Sequence, residues 1–177
     1  MIKILKCNSI DRNSLFKSES SADVSRTVTD ILHNVILHGD QALREYSEKF
    51  DGCQLEAFEV TGEEIDAAFS KADPEFVAVL REAAENIKDF HSKQIKNGYI
   101  IASGNGTVTG QRVIPLERVG LYVPGGTAAY PSTVLMDTIP AKVAGCEEIV
   151  IVTPPDKNGE VSPAILTAAA IAGADRI

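Results

Sequence analysis

Apolar residues over the first ninety-odd positions recur at three- and four-residue intervals, whereas over the last eighty they gather into continuous runs. The opening "IKIL" suits a short strand, and "NSIDRNSLFKSESSA" after it is a polar, unpatterned connector. Val24, Val28, Ile31, Val35 and Ile36 then follow helical spacing, which predicts one face of an amphipathic helix broken at Gly39. Asp40 can cap the next helix, "QALREYSEKF", with Leu43, Tyr46 and Phe50 on one side. A brief strand "AFEV" precedes "TGEEIDAAFSKA", where Thr61 and Glu64 have capping-box spacing and Ile65 and Phe69 supply the apolar face. In "DPEFVAVLREAAENIKDFHSKQI" Asp73 is the N-cap and Pro74 the first helical residue, and Phe76, Val77, Leu80, Ala84, Ile87 and Phe90 form the stripe.

The pattern changes near Asn97. "GYIIASGNGTVTGQRVIPL" is rich in β-branched residues and predicts a hairpin or bent strand pair with "GNG" at its turn. An apolar strand "RVGLYVPGG", a helix "PSTVLMDTIPAKVAGC" ending at Gly145, an apolar strand "EEIVIVTPP" and a helix "SPAILTAAAIAGA" follow in turn. This β-α-β-α order predicts a parallel sheet covered on both faces, the doubly wound class. Asp175, Arg176 and Ile177 read as the start of a third parallel strand, so the chain is expected to be the N-terminal part of a longer polypeptide or to pair its open edge with another segment.

Composition narrows the function classes. At 177 residues and 44% hydrophobic content the chain can bury an ordinary core. A formal charge of -8 without a local basic patch argues against nucleic acid and anionic lipid as partners. Cys7, Cys53 and Cys146 are odd in number and widely spaced, which suits a reducing cytoplasm rather than a disulfide framework. The longest apolar stretch, "AILTAAAIAGA", falls well short of the ~18 residues a membrane helix needs, so no membrane span is expected. The sequon at Asn105 is expected to stay unmodified.

Candidate chemistry centres on the Gly125-Gly126 turn, at the carboxyl end of a strand and before a helix, where open α/β sheets bind ligands. Paired glycines permit close backbone approach, and a helix N-terminus capped by Ser132 or Thr133 could meet an anion. "PGGT" is neither a dinucleotide fingerprint nor a P-loop, and a tight βα connection explains it equally. Tyr122 and Tyr130 flank the turn and could stack on a ring or simply pack. Cys146 could act as a nucleophile, but buried packing is the commoner role of a free cysteine. His33, His38 and His91 lack metal-ligand spacing and read as surface or capping residues. Glu63 with Glu64, and Glu147 with Glu148, point apart as sequence neighbours and read as solvated. Pro140 should kink its helix or free a carbonyl four residues back.

The segment "ERVGLYVPGGTAAYPSTVLMDTIPAKVAGCEEIVIVTPP" closely resembles the signature region of histidinol dehydrogenases, and "VSRTVTDILHNVILHGDQALREYSEKFDG" and "IKDFHSKQI" extend the resemblance from about Ser21 to Ile177. It implies an enzyme of histidine biosynthesis that oxidises L-histidinol through L-histidinal to L-histidine with two NAD+ and a bound zinc, working as an intertwined cytoplasmic homodimer. It also implies incomplete Rossmann-like domains. Fold class is accordingly α/β: a mainly helical N-terminal region over 1–96, then part of an incomplete Rossmann-like parallel sheet over 97–177, truncated at its C-terminal end.

By the same resemblance Tyr122 matches the tyrosine that contacts NAD, and Pro124, Gly125 and Gly126 match the loop around the dinucleotide. Family members are more than twice as long. Their zinc ligands and their Glu-His proton-handling pair lie in the later portion, so no metal ligand or catalytic base is assigned on this chain. The expectation is the N-terminal portion of a histidinol dehydrogenase, inactive by itself; the alternative is a stand-alone, non-catalytic α/β binding or structural module derived from that family.

Overall fold

The computed structural model describes residues 21–125 and 128–177, with the side chains of 21–23 left aside. The expected strand "IKIL", its connector as far as residue 20, Cys7 and Gly126 lie outside the described residues. The chain forms two compact units, 1–46 and 47–177. Within the first, α1 (Ser21–His38) and α2 (Asp40–Tyr46) pack as a helical pair on either side of Gly39. Asn34 ties them by donating from Nδ2 to the Tyr46 hydroxyl at 3.1 Å. Val24, Val28, Leu32 and Ile36, spaced four apart on α1, remain exposed.

The second unit opens with a π-helical turn, Ser47–Asp51, where the sequence pattern predicts a continued α-helix. No strand forms at "AFEV". That segment forms no ladder, and Val60 N–H donates to Ile177 O at 2.9 Å. Helix α3 (Gly62–Lys71) carries the expected capping box, with Glu64 N–H donating to Thr61 Oγ1 and the Glu64 carboxylate accepting from Thr61 N–H. Hydrogen bonds from the Thr61 N–H and then the Thr61 hydroxyl hold the Glu64 carboxyl below its ordinary value. Helix α4 (Pro74–Ser92) starts as predicted, Asp73 accepting from Glu75 N–H at 2.8 Å.

Two small sheets follow. Strands β1 (Tyr99–Ala102) and β2 (Val108–Gln111) form an antiparallel hairpin around the "GNG" turn. Strand β3 (Arg118–Tyr122) pairs in parallel with β4 (Glu148–Val152), in register from Arg118 opposite Glu148 to Tyr122 opposite Val152. Helix α5 (Pro131–Ala144) joins them, passing through Pro140 without a break, and α6 (Pro163–Ala172) follows β4. The third-strand expectation is realised at a single parallel bridge between Val150 and Arg176, with Ile151 N–H donating to Arg176 O at 2.9 Å.

The core lies on one side of this sheet. Val123 and Ile151 from the strands meet Val134, Leu135 and Ile139 of α5, Ile165, Ala168, Ala169 and Ala172 of α6, and Leu80 and Ala84 of α4. Each fully buried Ile, Leu or Val contributes about 1.5–3 kcal/mol by leaving water. The alanines of α6 let it approach α5 closely, and α3 packs against α6 as well. Consecutive crossovers in one direction carry α5 and α6 to the same face. The opposite face is not covered as predicted, for Tyr122 and Val152 are 65% and 58% exposed there.

Candidate functional site

Alternation along β3 and β4 divides their side chains between a packed face and a bare one. Ile149 and Ile151 are buried towards the helices, while Arg118, Gly120 and Tyr122 point to the bare side. At the amino ends of the strands that side carries a charge ladder. Arg118 pairs with Glu148, Glu148 with Arg176 at 3.5 Å, and Arg176 with both carboxylate oxygens of Glu59 at 2.7 Å. Glu148 is thus an ion-pair partner, not the freely solvated carboxylate its sequence suggests. Glu59 is held below its ordinary value by its hydrogen bonds from Arg176, whose own pKa moves up in return.

At the carboxyl ends the chemistry changes. Tyr122 closes β3 on the bare face, and Val123 extends the ladder by donating to Val152 O at 2.9 Å. Pro124 has no N–H to continue it. Gly125 then passes so close to the β4–α6 loop that a Cβ there would stand 2.9 Å from both Pro154 O and Thr153 Oγ1. Glycine is therefore required by packing, whatever else the turn does. A crevice of about 250 Å³ opens beside it, lined by Gly125, Ala129, Pro154, Asp156, Glu160 and Ser162.

Two carboxylates give this crevice an acidic lip. Asp156 accepts from Glu160 N–H at 2.9 Å and Asn158 N–H at 2.8 Å, and these bonds hold its carboxyl below the ordinary range. Such a lip suits ribose hydroxyls better than phosphates. The anion-capping expectation needs correction too. Tyr130, with no side-chain cap bond, is the N-cap of α5, and Ser132 and Thr133 fall inside its first turn.

Cys146, weighed in the sequence as a nucleophile, is not among the residues lining the crevice. Cys146 follows α5 at the amino-terminal edge of β4, the far end of the strand from Gly125. His38 Nδ1 lies 2.6 Å from Asn34 Oδ1, and His91 stacks edge-on with Phe90 and contacts Gln94 Oε1 at 2.7 Å. Both are helix-local contacts. Burial, then the nearby Asp51 and Asp156, push the Cys53 thiol up, which makes it a packing residue. Among the described residues no group of three or more His, Cys, Asp or Glu could hold a metal ion, so no chemical step is assigned to zinc on this chain. No helix among them is long and apolar enough to cross a membrane.

Thr153, which the sequence reading did not single out, lies beside Gly125 at the start of the β4–α6 loop. Its Oγ1 is buried with no hydrogen-bond partner among the described residues. The signal available in sequence was only its place after "EEIVIV", one residue past the end of a buried strand.

Comparison with known proteins agrees with this architecture. Residues 15–177 match the family described as histidinol dehydrogenase. The chain is 48% identical to histidinol dehydrogenase from Clostridium acetobutylicum and 44% identical to that from Heliobacterium mobile, in each case over 100% of this chain and 42% of the relative. A crystal structure of histidinol dehydrogenase from Elizabethkingia anophelis superposes with a TM-score of 0.82 at 37% identity, covering 88% of this chain and 36% of that one. The chain spans less than half the length of these relatives and corresponds to their N-terminal part. A match this extensive in sequence and in fold places the chain in the histidinol dehydrogenase family.

Proposed function

We propose that this chain is the cofactor-contacting portion of a cytoplasmic enzyme that oxidises L-histidinol through L-histidinal to L-histidine with two NAD+, with Tyr122, Pro124, Gly125 and Gly126 on the dinucleotide side. The observation that carries the reading is Tyr122, 65% exposed at the carboxyl end of β3, directly before a turn that packs closely on the next βα loop. NAD+, when bound, supplies the acceptor for hydride. Here the chain's own residues bind and orient. The Tyr122 ring offers a flat face for stacking, Pro124 ends the ladder so that the strand cannot extend into the crevice, and Gly125 keeps the turn low against Thr153 and Pro154.

Zinc and the proton-handling groups belong to the remainder of the enzyme in this reading, so the 177-residue chain alone does not turn over. The exposed apolar rows on α1 and on the hairpin support assembly as a homodimer, in which they would be covered. In the complete enzyme, Tyr122→Ala is expected to weaken NAD+ binding about tenfold while leaving histidinol binding unchanged, measured by calorimetric titration of each. Equal NAD+ affinities before and after overturn the role of Tyr122. Histidinol-dependent NADH formation by the isolated chain would overturn its inactivity.

A further inference from the structure

The order of the parallel pair singles out one carboxylate of the crevice. In a β-α-β unit that holds a dinucleotide, the glycine turn after the first strand faces the pyrophosphate, and an acidic side chain beyond the second strand accepts from the adenosine ribose. Here β3 is the first strand, Gly125 stands in the turn after it, and β4 is the neighbouring parallel strand. Asp156 lies in the loop that leaves the carboxyl end of β4, and it lines the same crevice as Gly125.

The two oxygens of Asp156 have unequal surroundings. Oδ1 accepts from Asn158 N–H at 2.8 Å and from Glu160 N–H at 2.9 Å, which fixes the orientation of the carboxylate. Oδ2 meets the Asn158 side-chain amide at 3.4 Å, the long end of a hydrogen bond, and keeps capacity to accept from a ligand. Among the described residues that line the crevice, Asp156 and Glu160 are charged and none is basic; Lys157 is outside that lining. We propose that Asp156 is the specificity residue of the cofactor site: its Oδ2 accepts from the 2′-hydroxyl of the adenosine ribose, and the same carboxylate excludes a 2′-phosphate, so that the site takes NAD+ rather than NADP+. A phosphate at that position removes the donor and sets like charges side by side with no lining cation to offset them.

This proposal rests on the NAD+ reading above, and the experiment separates the two. NAD+, NADP+ and the NAD+ analogue lacking the adenosine 2′-hydroxyl are titrated calorimetrically into the complete enzyme, unmodified and as Asp156→Asn. Asparagine keeps an oxygen for the Asn158 and Glu160 N–H groups and loses the charge. The unmodified enzyme is expected to bind the deoxy analogue about tenfold more weakly than NAD+, and NADP+ more weakly still. Asp156→Asn should bind NAD+ about tenfold more weakly than its parent, bind the analogue unchanged, and gain affinity for NADP+. Should the variant fold poorly, the analogue still decides, because it is titrated into the unmodified enzyme. Equal affinity of that enzyme for NAD+ and the analogue, or an Asp156→Asn enzyme with the cofactor preference of its parent, overturns the role of Asp156 and leaves the NAD+ reading standing. Absence of NAD+ binding by the unmodified enzyme overturns both.

Discussion

The hairpin and the parallel pair are both two-stranded and of nearly equal length, yet they solve opposite problems. Along β1 and β2 every residue is exposed, Ile100 at 80%. Along β4, Ile149 and Ile151 are almost fully buried under the helices. Two strands alone are marginal in water, so the parallel pair is held by what covers it and the hairpin by its own ladder and turn. Hydrogen bonding shapes both. Burial stabilises only one.

Substitution of equivalent residues should separate them most clearly. Ile151→Ala is expected to destabilise the chain by about 3 kcal/mol, since it leaves a cavity beneath α5, whereas Ile100→Ala should change stability by less than about 0.5 kcal/mol. Urea denaturation of the two variants reads this directly, and comparable losses would mean that the hairpin shares the core.

A glycine from each sheet gives the next contrast. Gly125→Ala forces a methyl group against the Pro154 carbonyl and should cost about 1–3 kcal/mol, while Gly106→Ala, in the hairpin turn at φ 86°, should cost about 1 kcal/mol through backbone strain alone. Thermal melting distinguishes them, and a Gly125→Ala protein as stable as the parent would show that the two βα loops yield easily.

The smallest effect concerns the third strand. Asp175 accepts from Lys142 Nζ at 2.7 Å and from Ile149 N–H at 2.8 Å, and these bonds hold its carboxyl below the usual range. The folded state therefore binds fewer protons than the unfolded one. Its contribution is complete above the ordinary carboxylate range, near pH ~4, and is lost as pH falls through the lowered value. With both side chains about a third exposed, Asp175→Asn should cost only about 1 kcal/mol at neutral pH. That difference should vanish in strong acid. A penalty independent of pH would assign the effect to packing instead.

Much of this fold was legible in the sequence. The capping box of Thr61 and Glu64, the Asp73-Pro74 start, the "GNG" turn and the β-α-β-α order all rest on local chemistry that needs no distant partner. What escaped depends on tertiary geometry. "AFEV" has a strand's composition but forms no ladder, and a continuous apolar run such as "EIVIV" cannot say whether one face or two will be covered. At the site, position and resemblance pointed to Tyr122 and Gly125. The close packing of Gly125 on Thr153 and Pro154 shows only when the neighbouring loop stands beside it.

The ladder from Arg118 to Glu59 also bears on the order of assembly. Glu59 and Arg176 are 117 residues apart, and closing so long a loop costs entropy before any contact repays it. On a ribosome, Glu59 leaves the exit tunnel long before Arg176 is made. The helices α3 and α4 can form early from local signals, whereas the Glu59–Arg176 pair can close only once residue 176 has been made.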